Sequence, residues 1–231
     1  MGGGLGRGSR PHRAEEADLQ LDLVLGAGAQ LLDRAAVVEE VEVALAEARQ
    51  EAMHLKEKQR YIRGLFTGGT LATEACIVLG EKVLSLSGNI SLNGVKKLTN
   101  TENSEEHCII DLGSDEFTLG KPHPMIEPEM RKERLLVEAR DPEVAVVLLD
   151  FVLGYGAHPD PVGATILYLE RMRGIAREDG RPISIVASVC GTDEDPQNRS
   201  SQVRVLKEHG VIVLPNNAQA ARAAALIALR A

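Results

Sequence analysis

Val144-Ala-Val-Val-Leu-Leu-Asp-Phe-Val152 is followed by Leu153-Gly-Tyr-Gly-Ala-His-Pro-Asp-Pro161, and then by a helix-patterned stretch from about Val162 to Arg177. Nine residues carrying one charge read as a strand buried on both faces, as in parallel sheets. Glycine and proline end the strand, and an amphipathic helix returns the chain. This is a βα unit, and it recurs on both sides.

Upstream, Tyr61-Ile-Arg-Gly-Leu-Phe66 reads as a strand, followed by Thr67-Gly68-Gly69 and a helix from about Thr70 to Leu84. His107-Cys-Ile-Ile-Asp-Leu112 is the next strand, with a Gly/Pro-rich loop and a charged helix from about Glu127 to Arg140. Downstream, Ile183-Ser-Ile-Val-Ala-Ser188 leads through the polar loop Cys190–Arg199 to a helix from about Ser200 to His209. Gly210 stops that helix. Val211-Ile-Val-Leu214 is the fifth strand, and Pro215-Asn216-Asn217 caps a final Ala-rich helix. Short apolar strands alternating with amphipathic helices predict an α/β fold, a parallel sheet covered by helices on both faces.

The stretch Ser85 to Glu106 breaks this rhythm. It is polar, contains Asn93-Gly94, and reads as a small hairpin or an excursion. Residues 1–18 are rich in Gly, Arg and Glu and read as a disordered leader without the apolar core of a secretory signal. Residues 19–58 read as a helical extension or linker. In it Val37, Val41, Leu45 and Ala48 recur at helical spacing, so it either packs on the domain or reaches a partner.

A formal charge of −8 argues against a general nucleic-acid binder, which needs a basic surface. No apolar run reaches the roughly 20 residues needed to span a bilayer, so no membrane partner is expected. Three cysteines, widely spaced and outside any zinc pattern, suit free thiols in the cytoplasm and give no metal site. Aromatic residues make up 3% of the chain, too few to favour stacking of a flavin.

In an open parallel sheet, ligands bind outside the carboxyl ends of the strands, where helix N-termini offer unpaired N–H donors and partial positive charge. Every unusual loop here follows a strand. Gly68, Gly69 and Thr70 are candidates to cradle a phosphate or other anion, the alternative being an ordinary tight turn. The segment has neither a Walker loop nor GxGxxG. His123 lies in Lys121-Pro-His-Pro-Met125 and His158 in Gly154-Tyr-Gly-Ala-His-Pro-Asp-Pro161. Proline fixes the backbone around each ring, and imidazole suits acid–base or anion chemistry. Gly154 and Gly156 would let backbone approach an anion. Asp111, Asp150 and Asp160 are candidates to bind substrate. Asp193, Glu194 and Asp195 read as a solvated loop with an N-cap or as catalytic carboxylates.

Arg63-Gly-Leu-Phe-Thr-Gly-Gly-Thr-Leu-Ala-Thr-Glu-Ala75, Asp111-Leu-Gly-Ser-Asp-Glu-Phe-Thr-Leu-Gly-Lys-Pro-His-Pro-Met-Ile126 and Leu149-Asp-Phe-Val-Leu-Gly-Tyr-Gly-Ala-His-Pro-Asp-Pro161 resemble the FdrA family. FdrA proteins are relatives of the succinyl-CoA synthetases, and the likeness runs from about Arg60 to the C-terminus. It implies a flavodoxin-like, doubly wound ligase domain over residues 59–231, with no tightly bound cofactor. Nothing before Tyr61 has the pattern of a CoA-binding domain, so CoA or phosphate would be met together with a partner domain.

The resemblance also implies a homo- or hetero-oligomer with other ligase subunits, and a small acyl or carbamoyl phosphate as substrate. Succinyl-CoA synthetases carry a phosphohistidine in a Gly-His-Ala-Gly motif, but the corresponding loop here reads Cys190-Gly-Thr-Asp-Glu-Asp-Pro-Gln-Asn-Arg199. That leaves His123 and His158 as the catalytic candidates. FdrA-like carbamoyl transfer involving oxamate needs no phosphohistidine. The other reading is a non-catalytic assembly subunit or relic.

Overall fold

The structure, a computed structural model, describes residues 34–231. The leader expected over residues 1–18 and the first part of the extension lie outside the described residues. In chain order the elements are α1 (Arg34–His54), β1 (Tyr61–Phe66), α2 (Gly69–Gly80), β2 (Leu86–Gly88), β3 (Val95–Lys97), β4 (Cys108–Asp111) and α3 (Asp115–Thr118). Then follow α4 (Glu129–Glu138), β5 (Val144–Val152), α5 (Gly163–Glu178), β6 (Ser184–Cys190), α6 (Arg199–Glu208), β7 (Ile212–Leu214) and α7 (Asn217–Leu229).

The seven strands form one sheet in the order β3-β2-β4-β1-β5-β6-β7, and every pairing is parallel. The five strands expected from the βα rhythm stand in the order second-first-third-fourth-fifth, the doubly wound, flavodoxin-like arrangement. From β1 the chain moves outward to β4 on one side and later to β5 on the other. The direction of winding therefore reverses at β1, the place where doubly wound sheets form their crevice at the carboxyl edge.

Two apolar layers hold helices against the sheet. Ile62, Phe66, Val146 and Leu148 pack with α2, α7 and α1 on one face. Leu65, Ile110, Val147, Leu149 and Phe151 pack with α4, α5 and α6 on the other. Eight of the nine residues of β5 are buried, as a central strand covered on both faces requires. The α1 helix sits on the first layer through Ala44 and Ala48. Glu51 accepts the Ser184 hydroxyl at 2.9 Å, and Lys207 pairs with Glu40. Val41 and Leu45, expected on the inner stripe, are half-buried, and Val38 is exposed.

Of the two readings of Ser85–Glu106, a hairpin or an excursion, the hairpin is corrected: β2 and β3 are parallel, and they extend the sheet beyond β4. A three-residue strand is too short to show an alternation, so its direction is set by what it meets. Ser87 donates its N–H to the His107 carbonyl, and the Asn89 side chain bonds both the N–H and the carbonyl of Asp111. The short α3, inside the loop after β4, was also not expected from the sequence.

A largely buried ionic cluster joins β1 to α4. Arg63 of the central strand bonds Glu138 at 2.9 Å and Asp141 at 2.5 Å, and Arg134 bonds Glu138 at 2.7 Å. Ser104 adds its hydroxyl to the same Glu138 carboxylate. Arg134 also reaches the Thr101 carbonyl, which ties the 98–106 segment to α4.

Candidate functional site

Strand register brings the site together. Phe66 is level with Asp111, and Leu65 is level with Leu149, so Thr67 and Gly68 leave β1 beside Asp150 and Asp111. Gly68 is the N-cap of α2 and offers no capping side chain. The amides of the first helical turn, at Gly69, Thr70 and Leu71, have no intrahelical acceptor. They open onto the crevice at the winding reversal.

Asp150 is placed below this terminus rather than in the crevice. Its carboxylate is fully buried and accepts the N–H of Thr67 at 2.8 Å, the N–H of Gly68 at 2.8 Å and the Thr67 hydroxyl. Arg131, equally buried, donates to its carboxylate at 3.3 Å and to its main-chain carbonyl, and lies over the Phe151 ring. Burial pushes the Asp150 carboxyl up, and Arg131 and the two amides pull it back. Burial lowers Arg131, and Asp150 opposes that. The Asp150 side chain thus holds the turn in place, and the Gly68 N–H is already taken.

Asp111 is half-buried and nearer the surface. One oxygen accepts the Gly113 N–H at 2.9 Å, and the other stands against Gly69, where an added methyl would meet it. Burial raises its carboxyl above the ordinary range, the Gly113 amide opposes that, and Asp150 adds to it. His123 lies on the same side: its Nε2 sits where a Gly113 side chain would be, next to the Thr67 carbonyl. Glycine is required at 113 because the imidazole fills that space.

The two histidine loops meet. The His158 N–H donates to the Met125 carbonyl at 2.7 Å, joining the loop after β5 to the loop after β4. Gln197 fixes the other side, donating to the carbonyls of Gly154 and His158 and accepting the Gly154 N–H. Gly154 and Gly156 have φ of +125° and +88°, which let this loop turn twice around the exposed Tyr155. Asp160 caps α5 by accepting the Gly163 N–H at 2.9 Å, and it also accepts from Gln202. Its side chain is turned to the helix.

In the loop after β6, Asp193 accepts the Ser200 N–H and hydroxyl, Asp195 accepts the Thr192 N–H, and Asn198 caps α6 at Ser201. In the acidic cluster Asp193 caps α6, Asp195 braces the loop, and Glu194 is exposed. Cys76 and Cys108 are buried and Cys190 is exposed, all three as free thiols. Among the described residues no three His, Cys, Asp or Glu side chains gather as a metal-binding group, and no helix is long and apolar enough to cross a membrane.

Arg131, Asn89 and Gln197 were not found from the sequence. Arg131 left a trace there: with Arg134, Leu135 and Glu138 it recurs at helical spacing on the inner face of α4, charged where an apolar residue is expected.

The CoA-ligase family model matches residues 65–227, and the chain belongs to that family. The uncharacterized protein YahF of Escherichia coli (strain K12) is 46% identical over 159 residues, which are 69% of this chain and 31% of that protein. The chain thus spans about a third of the length of this curated relative.

Proposed function

We propose that this chain is the ligase part of an acyl-CoA synthetase-type enzyme of the cytoplasm, handling an acyl or carbamoyl phosphate at the carboxyl edge of the sheet. The observation that carries this reading is the uncapped N-terminus of α2 at the winding reversal, with His123 beside it. Gly69 and Thr70 hold the phosphate through backbone amides, and His123 and His158 serve the transferred group. The CoA or the acceptor is presented by a partner domain, in a homo- or hetero-oligomer with other ligase subunits. The FdrA-like strings around Asp111–Ile126 and Leu149–Pro161 favour carbamoyl transfer involving oxamate.

Two assays test it, each with the partner chains present: carbamoyl phosphate with oxamate, and ATP with CoA and a carboxylate. Turnover in the first supports carbamoyl transfer, turnover in the second supports acyl-CoA formation, and silence in both sinks the catalytic reading. The second reading, a non-catalytic assembly subunit, is favoured by the loop after β6. That loop lacks histidine, and its Asp193 and Asp195 already accept backbone amides. Full activity in a His123→Ala, His158→Ala double variant would remove the two rings from the reaction.

A further inference from the structure

His123-Pro124-Met125 and His158-Pro159-Asp160 make the same contact between ring and backbone. In the first, Nδ1 accepts the Met125 N–H at 3.2 Å, and in the second Nδ1 accepts the Asp160 N–H at 3.0 Å. Proline has no N–H, so the amide two residues on is the first donor each ring meets. Met125 couples the turns: its N–H points at the His123 ring, and its carbonyl takes the His158 N–H. A backbone N–H can only donate, so Nδ1 of each ring presents its lone pair. The proton of the neutral imidazole is then on Nε2.

We infer that His123 and His158 both keep their proton on Nε2, that His123 donates it to a bound oxyanion, and that neither ring becomes a phosphohistidine. This rests on the reading of an anion site at the start of α2. Forming an N–P bond requires a lone pair on the attacking nitrogen. For Nε2 to attack, the proton must move to Nδ1, where an amide hydrogen already points. For Nδ1 to attack, the same amide must be displaced and the turn opened. Donation from Nε2–H costs neither. The His123 Nε2 stands at Gly113 and the Thr67 carbonyl, at the entry to α2, and adds a donor to those of Gly69 and Thr70. The ligand class is a phosphate monoester or acyl phosphate, bound without a covalent link to the protein.

Long-range proton–nitrogen NMR of the ¹⁵N-labelled chain reads the tautomers directly, with inorganic phosphate as the probe. Both rings are expected with bare Nδ1 and protonated Nε2, and phosphate is expected to shift the His123 Nε2–H signal together with the amides of Gly69 and Thr70. His123→Phe should weaken phosphate binding about tenfold, the loss of one donor to a charged group, and His123→Gln should restore most of it. Glutamine keeps an N–H donor and has no ring nitrogen to phosphorylate. An Nδ1–H tautomer at either ring overturns the inference, as does a phosphoryl adduct on His123 or His158 after incubation with carbamoyl phosphate. Phosphate that moves Gly69 and Thr70 but not the His123 ring sinks this inference alone. Phosphate that moves none of them sinks the anion site itself.

Discussion

The turn after β1 and the turn after β6 lie on the same edge of the sheet and both feed a helix, yet they are opposites. The β6 turn is rich in charge, and Asp193, Asp195 and Asn198 each bond a nearby amide. The β1 turn has two glycines and no capping side chain, and its one buried carboxylate, Asp150, comes from the neighbouring strand. The polar turn is closed and the plain one is open. Short polar side chains near a helix start bond the backbone first, so composition alone overstates what they offer a ligand. An anion site needs donors that nothing has yet taken.

The largest test of this contrast is Asp150→Ala. It strips the Thr67 and Gly68 amides of their acceptor and leaves Arg131 buried without its counter-charge. Removing one partner of a buried ion pair costs about 3–5 kcal/mol. Chemical denaturation should show a loss of that size, and a loss of only a few tenths would mean that the open turn does not depend on this pair. Next is Gly113→Ala, whose new methyl takes the place of the His123 Nε2. Overpacking of this kind costs about 1–3 kcal/mol. Calorimetric titration should show phosphate affinity falling at least as far as with His123→Phe. Unchanged affinity would take His123 out of the site.

Most of the fold was legible because each central strand is mostly apolar and is followed within two residues by glycine or proline. Tyr61–Phe66 and Val144–Val152 have in the structure the bounds their patterns predict. The site was legible only as loops. Spacing places His123 and His158 after strands, but their meeting at Met125 depends on strand order, which spacing does not encode. Asp150 reads as a strand-end carboxylate open to substrate, and only the register of β5 on β1 sends it under the turn. Arg131 comes from a helix packed on the far layer. No local pattern links it to Asp150.

A third histidine, at the opposite edge, sharpens the comparison. His107 accepts the Ile62 N–H through Nδ1 and meets Tyr61 edge to face, at 5.4 Å between ring centres. Burial, with Arg63 adding to it, lowers its pKa from 6.5 to about 4. The unfolded chain therefore binds the extra proton first. Stability should be flat above the unfolded value and fall as pH drops from about 6.5 towards about 4. The loss should be on the order of 1–2 kcal/mol, reduced because the ring is partly open to solvent screening. Denaturation midpoints across that range should slope in the parent and lie flatter in His107→Gln. An equal slope in both would assign the acid sensitivity elsewhere.

The smallest effect probes the closed turn. Asp193 accepts the Ser200 N–H at 2.6 Å and its hydroxyl at 2.8 Å, and these two bonds hold its carboxyl below the ordinary range. Replacing a capping carboxylate with alanine costs about 0.5–1 kcal/mol at an exposed position. The sign with pH follows from the lowered folded value. The stabilisation is present above the ordinary carboxylate range and is lost as pH falls through the folded value, so the gap between parent and Asp193→Ala should close in acid. Phosphate affinity should not change, because no donor of the open turn has been touched. If affinity fell along with stability, the two turns would be one site, and the contrast between a closed and an open helix start would fail.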